Sequence, residues 1–152
     1  MSEKKKKKIF MDGPITPAFI ADAISKHSAN LEIGAHDIFL GQVRADEIKG
    51  EEVISILYSA YEPMAEDVAY EIREAIFEKY PLTCMHIYHS LGNVKAGEIS
   101  LFIFTSSKHR KAAIDACSEL VERVKAEVPV WGREILEDET YIWKENKEIP
   151  QN

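Results

Sequence analysis

The spacing of apolar and polar positions changes several times along the chain, and each change marks an element. Phe19, Ile20, Ala23 and Ile24 recur at helical spacing behind Thr16-Pro17. An N-cap followed by proline at the first helical position predicts a short helix with one buried stripe. Residues 34–43 read as a strand ending at Arg44, followed by an acidic turn through Gly50. Across 53–62, Ile54, Ile56 and Tyr58 alternate with Ser55 and Ser59, the period of a second strand. Pro63 opens a helix whose apolar face reads as Met64, Val68, Ile72, Ala75 and Ile76, and Pro81 stops it.

The second half continues the alternation of elements. Residues 82–89 predict a third strand and 93–97 a turn. The run 98–105 is apolar at almost every position, which predicts a strand buried on both faces. Ser106-Ser107 read as the cap of a long helix over 108–127, and two short strands, 130–135 and 141–143, close the chain around an acidic turn. The sum is an α+β domain, a mostly antiparallel sheet with about three helices, occupying 9–152 as a single unit without repeat or linker.

Composition leaves that picture unchanged: 152 residues at 45% hydrophobic and 30% charged are enough to bury a core without staples. Charge adds more. Lysines 4–8 supply five of the 19 basic residues and read, with the rest of 1–8, as a disordered basic tail. Without them 14 basic residues face 26 acidic ones, so the body is strongly acidic. Such a body is a poor generic partner for nucleic acid or an anionic membrane, and any anion site must be a local basic pocket. No apolar run reaches the length of a membrane span or signal peptide, so a cytoplasmic protein is expected.

Candidate chemistry is sparse. Cys84 and Cys117 make neither a disulfide framework nor a metal set, and Cys117 falls in register with Ile114, Val121 and Val124 as a small buried hydrophobe. His86 and His89 sit three apart on a predicted strand and point to opposite faces. His27 and His36 flank the first helix–strand connection without a matching cysteine or carboxylate cluster, so neither a metal nor a cofactor is expected.

Three groups of cations stand out. Ser106-Ser107-Lys108-His109-Arg110 places basic residues at a helix N-terminus, whose unpaired amides can cradle phosphate or carboxylate. The plainer reading is that cations there are locally unfavourable and point to solvent. Lys125 ends the same helix, just before Pro129, Trp131 and Arg133. It either complements the helix dipole or acts as general acid, general base or oxyanion stabiliser. Gln42 and Arg44 end the first strand, where an arginine is ordinarily a surface residue.

In order, these pieces resemble the large, catalytic subunit of molybdopterin synthase, the MoaE family. The resemblance rests on Gly41-Gln42-Val43-Arg44, Ala60-Tyr61-Glu62-Pro63-Met64-Ala65, His89 with Leu91-Gly92, and Gly97-Glu98. It continues through Ser107-Lys108-His109-Arg110, the stretch from Lys125 through Pro129-Val130-Trp131 to Glu134, and Trp143. It implies an α/β hammerhead-type fold and a homodimer carrying two small ubiquitin-like sulfur-carrier subunits, together a heterotetramer. It further implies that the carrier's C-terminal Gly-Gly thiocarboxylate supplies two sulfurs to cyclic pyranopterin monophosphate (precursor Z), forming the molybdopterin dithiolene. By the same resemblance, substrate binding falls on Gln42, Val43, Arg44, His109, Arg110, Lys125, Gly132, Arg133 and Glu134, and catalysis on Lys125.

Two positions depart from the family pattern. Gly132 stands where a second lysine is usual, and Ser90 where arginine often follows the histidine. Arg133 or Lys147 are the cations placed to compensate, and a non-catalytic dimeric scaffold that only docks the carrier is the alternative. Arg110 and Lys125 lie fifteen residues apart on one predicted helix, about 22 Å along its axis. One substrate cannot touch both ends, so a site composed across two chains is expected.

Overall fold

The continuous apolar run near the middle of the chain becomes the centre of the molecule. In the computed structural model, which describes residues 8–144, this run is a strand buried along almost its whole length. The elements in order are β1 (Phe10–Asp12), α1 (Pro17–His27), β2 (Ala35–Gln42), β3 (Glu47–Ile48), β4 (Glu51–Ala60) and α2 (Glu62–Lys79). They continue with β5 (Leu82–Lys95), β6 (Ile99–Ser107), α3 (Arg110–Glu127), β7 (Val130–Leu136) and β8 (Tyr141–Trp143). The sheet runs β2-β6-β5-β4-β7-β8, with β1 added to β5 and β3 to β4. Every pairing is antiparallel except β1 with β5.

Helices cover both faces of the sheet. On one side α2 and α3 bury Ile72, Ile76, Ala116, Leu120 and Val124 against Met85, Ile87, Leu101 and Ile103. On the other, Ile20 of α1 packs on Phe102 and Phe104. Side chains alternate across β5 and β6, so one strand pair serves both layers. A third cluster, Val43, Val53, Ile56, Tyr58, Val94 and Leu136, underlies the β4–β7 half of the sheet. Among the described residues no helix is long and apolar enough to cross a membrane.

Several expectations hold, and others are corrected. Thr16 does cap α1, its Oγ1 accepting from the Phe19 amide at 3.1 Å. The buried face of α2 is Ala65, Ala69, Ile72 and Ile76, while Met64 is 52% exposed. Alanines let α2 approach its neighbours where a methionine would hold it off. The expected turn at 93–97 is instead mostly strand. β5 continues through Gly92, whose φ of +86° only glycine adopts cheaply, and exchanges its partner from β6 to β4 there. β1 and β3 were not expected. On α3, Cys117, Val121 and Val124 are buried as expected, but Ile114 is half exposed. The basic tail lies outside the described residues apart from exposed Lys8.

The start of α3 is also corrected. Ser106 and Ser107 belong to β6, and His109 occupies the N-cap with extended backbone and no side-chain cap. Ser107 still reaches the helix, donating to the His109 carbonyl and accepting from the Ala113 amide at 3.1 Å.

Candidate active site

Lys125 sits exposed in the last turn of α3. The chain breaks at Val128-Pro129 and returns as β7, which pairs with β4 in the register Tyr58 to Gly132 and Ile56 to Glu134. Cross-strand partners share a face, so Tyr58, Gly132 and Glu134 look to the same side. β8 extends this face by pairing Ile142 with Glu134, and the Lys144 amide then donates to the Gly132 carbonyl at 2.7 Å. Lys144 therefore stands beside Gly132. A Cβ added at Gly132 would lie 3.0 Å from Ile56 Cγ2, 3.4 Å from Tyr58 Cε1 and 3.5 Å from Lys144 Cβ. A lysine at 132 would crowd Ile56, whereas Lys144 brings an ammonium to the same face from the next strand.

Electrostatics ties these groups together. The Lys144 ammonium is held below its usual pKa, first by the burial of part of an otherwise exposed residue, then by the Lys125 charge, with Glu134 opposing. Burial pushes His89 down to about 4, and the Lys125 and Lys144 charges push the same way against its bond to Ser90. His89 donates from Nδ1 to the Ser90 carbonyl at 2.7 Å, which leaves Nε2 with a free lone pair on the neutral ring. Its ring stands edge-on to Tyr58, centroids 5.1 Å apart, and the Tyr58 hydroxyl donates to Ser100 Oγ at 3.2 Å. The Glu134 carboxyl is raised by burial while Lys144 and Arg44 pull it down. Two lysines, a neutral imidazole and a carboxyl in one field can bind an anion, stabilise an oxyanion and move a proton.

The residues expected from the sequence divide clearly. Arg44 reaches this field, 80% exposed at its side chain and paired to Asp46 at 3.3 Å. Gln42 lies exposed beside it at a bulge of the β2 edge. Val43 is buried, its amide donating to the Glu98 carbonyl and its carbonyl accepting from Gly97, so it anchors Arg44 through packing. Arg133 pairs with Leu57 and Trp143 and so lies on the opposite face from Gly132 and Glu134. Its guanidinium carbon stacks 4.6 Å over Tyr141, and it cannot stand in for a lysine at 132. Lys147 lies outside the described residues. His109 and Arg110 are at the far end of α3, an unbroken helix of 18 residues, and do not meet Lys125 within one chain.

Lys144 and the proton state of His89 were missed. His89 was legible as a motif residue but not as a buried base, and the neighbourhood of Lys144 depends on β7–β8 register. The cysteine reading stands at Cys117, whose thiol burial pushes up to about 12. The histidine reading is corrected at one point. His27 does have a cysteine nearby, since Cys84 and His86 gather beside it.

Fold and site together define an α+β protein with two lysines, a histidine and a carboxyl gathered near the end of its last helix. The family model for MoaE protein matches residues 12–127. The chain is 37% identical over 132 residues to the molybdopterin synthase catalytic subunit of Pyrococcus abyssi, covering 86% of this chain and 87% of that one. Its identity to the Rattus norvegicus molybdopterin synthase catalytic subunit is 42% over 115 residues, covering 76% of this chain but 57% of the rat protein. It thus spans little more than half the length of that relative. Molybdopterin synthase from Staphylococcus aureus superposes with a TM-score of 0.79 at 34% identity, over 94% of this chain and 99% of that one. A complex of subunits 1 and 2 of molybdopterin-converting factor from Helicobacter pylori 26695 shares the fold, with a TM-score of 0.78 at 19% identity over 93% and 92% of the two chains. The chain belongs to the MoaE family.

Proposed function

We propose that this chain is the catalytic subunit of a molybdopterin synthase. Two such chains form a homodimer, each binding a small ubiquitin-like carrier whose C-terminal Gly-Gly ends in a thiocarboxylate. The thiocarboxylate sulfur attacks a carbon of precursor Z, forming an acyl thioester as a carbon–oxygen bond at that carbon breaks and its oxygen departs as water or stays with the phosphate. Water then cleaves that ester, freeing the carrier carboxylate and leaving sulfur on the substrate, and a second carrier repeats the step to complete the dithiolene. The observation that carries this reading is that Lys144, beside Gly132 in a MoaE fold, shares its electrostatic field with Lys125, His89 and Glu134.

Lys125 stabilises the oxyanion as the acyl intermediate forms and collapses. Lys144 supplies the second cation that Gly132 does not. Neutral His89 offers Nε2 as a hydrogen-bond acceptor, and Arg44, with Gln42 beside it, orients the pterin or the carrier tail. His109 and Arg110 of the second chain hold the cyclic phosphate, because α3 is too long for one chain to bring both ends to one ligand.

Reconstitution with thiocarboxylated carrier and precursor Z tests this directly. Lys125→Ala is expected to lower dithiolene formation by about 10²–10³-fold while carrier binding persists. Near-normal turnover in that variant would remove Lys125 from the chemistry. Gly132 favours a second reading, the non-catalytic scaffold, which predicts carrier binding without dithiolene in the unsubstituted protein.

A further inference from the structure

Away from the lysine site, three metal-ligating side chains meet between α1 and the outer face of β5. His27 is the last residue of α1, while Cys84 and His86 stand two apart on β5 and so share a face. Their donor atoms, two ring nitrogens and a sulfur, all lie within 4.8 Å of one another. Nε2 of His27 is 3.0 Å from Nε2 of His86. The Nδ1–H of His27 donates to the Ala23 carbonyl at 2.7 Å. That bond fixes the tautomer, so the neutral ring presents its Nε2 lone pair to the other two groups, as metal-binding histidines commonly do. Fully buried Phe104 forms an apolar wall, its ring 4.8 Å from that of His27 and 6.1 Å from that of His86.

The donor set selects the metal. Two imidazoles and a thiolate suit a borderline divalent ion such as zinc, which binds nitrogen at about 2.0–2.1 Å and sulfur at about 2.3 Å in tetrahedral geometry. On such an ion two nitrogens lie about 3.3 Å apart, and nitrogen and sulfur about 3.6 Å. The nitrogen pair need open by only a few tenths of an ångström, and the sulfur need close by no more than about 1.2 Å. All three residues are half-buried, which leaves a path for the ion and a fourth position for water.

We propose that His27, Cys84 and His86 form a zinc site that clamps α1 to β5. On binding, the thiol S–H bond is replaced by a Zn–S bond and its proton passes to solvent, while the proton that His86 Nε2 shares with His27 Nε2 is exchanged through solvent for one on His86 Nδ1. The site is separate from the sulfur-transfer machinery. His86 packs towards α1 and Phe104, whereas His89 lies in the field of Lys125 on the other side of the strand.

The test is metal titration of the full chain, purified without a histidine tag, using cobalt(II) and then zinc(II). The expected result is one cobalt per chain, with a thiolate-to-cobalt charge-transfer band and tetrahedral visible bands that zinc displaces. Cys84→Ser should abolish the charge-transfer band, and His27→Gln and His86→Gln should each weaken binding by about tenfold or more. Zinc should raise the melting temperature of the unsubstituted chain but not of Cys84→Ser. Circular dichroism of each metal-free variant checks folding, and Cys84→Ala replaces the serine variant if that one does not fold. Absence of the thiolate band, or an affinity unchanged by the His27 and His86 substitutions, would overturn the proposal.

Discussion

The two ends of α3 carry cations under opposite conditions. At its C-terminus Lys125 faces the negative end of the helix dipole, an arrangement worth about 0.3–1 kcal/mol that offsets repulsion from Lys144. At its N-terminus His109 and Arg110 face the positive end, exposed and without a side-chain cap. One end is built in the free chain, where Lys125 already shares a field with Lys144. The other is unfavourable until an anion arrives. Under the proposed function, the C-terminal end is the rigid chemical half of the site and the N-terminal end its ligand-gripping half, contributed by a second chain.

The sharpest way to break this comparison is complementation between two crippled chains. Lys125→Ala and Arg110→Ala should each lose about 10²–10³-fold in dithiolene formation as homodimers. If the site is shared, mixed dimers contain one site with both native residues and one with neither. Statistical mixing then restores about a quarter of the native rate. A site held within one chain gives no recovery on mixing.

His89 tests the rigid half through stability. Its folded pKa of about 4 lies below the ordinary 6.5, so the folded chain binds fewer protons than the unfolded chain between those values. Stability is therefore complete above the unfolded pKa, declines as pH falls through the window, and is about 3 kcal/mol lower once pH passes below the folded value. Denaturant titrations at about pH 7 and about pH 4.5 should show this slope, and His89→Gln should flatten it. If the slope were the same in both proteins, His89 would not be the buried group that senses acid.

Lys144 should have a smaller effect. Lys144→Ala is expected to lower turnover about tenfold, because one of two cations remains. Lys144→Arg keeps the charge but not the titration, so it should recover substrate binding and alter the pH–rate profile. Gly132→Lys in the Lys144→Ala background should recover part of the rate at a cost in stability, since its Cβ would press 3.0 Å from Ile56 Cγ2. Full turnover in Lys144→Ala would make that lysine a bystander.

What could be read from the chain, and what could not, follows the range of the interactions. The cap at Thr16, the buried run that became β6 and the long α3 are local patterns, and all are present. β1 was hidden because three residues mean nothing until they pair with β5 some eighty positions on. The continuity of β5 was hidden because Asn93 to Gly97 resembles a turn when the two partner strands are unknown. The candidate site divides the same way. Arg44, Lys125 and Glu134 carry motif signals, whereas Lys144 beside Gly132, and His27 beside Cys84 and His86, depend on tertiary contact.

Arg133 should matter least to the chemistry, and the reason can be put in magnitudes. Its stacking on Tyr141 is worth about 0.5–1 kcal/mol at a partly exposed site. Against that, its Nε is buried without a hydrogen-bond partner among the described residues, a cost of about 1–3 kcal/mol. Arg133→Leu should therefore leave stability unchanged or slightly raised in thermal melts. Turnover should stay within about twofold of native, because the side chain faces away from Gly132 and Glu134. A weaker apparent affinity for the carrier at unchanged kcat would mean that docking satisfies the orphan Nε–H. A fall in kcat as deep as that of Lys144→Ala would instead show that the two faces of β7 have been assigned the wrong way round.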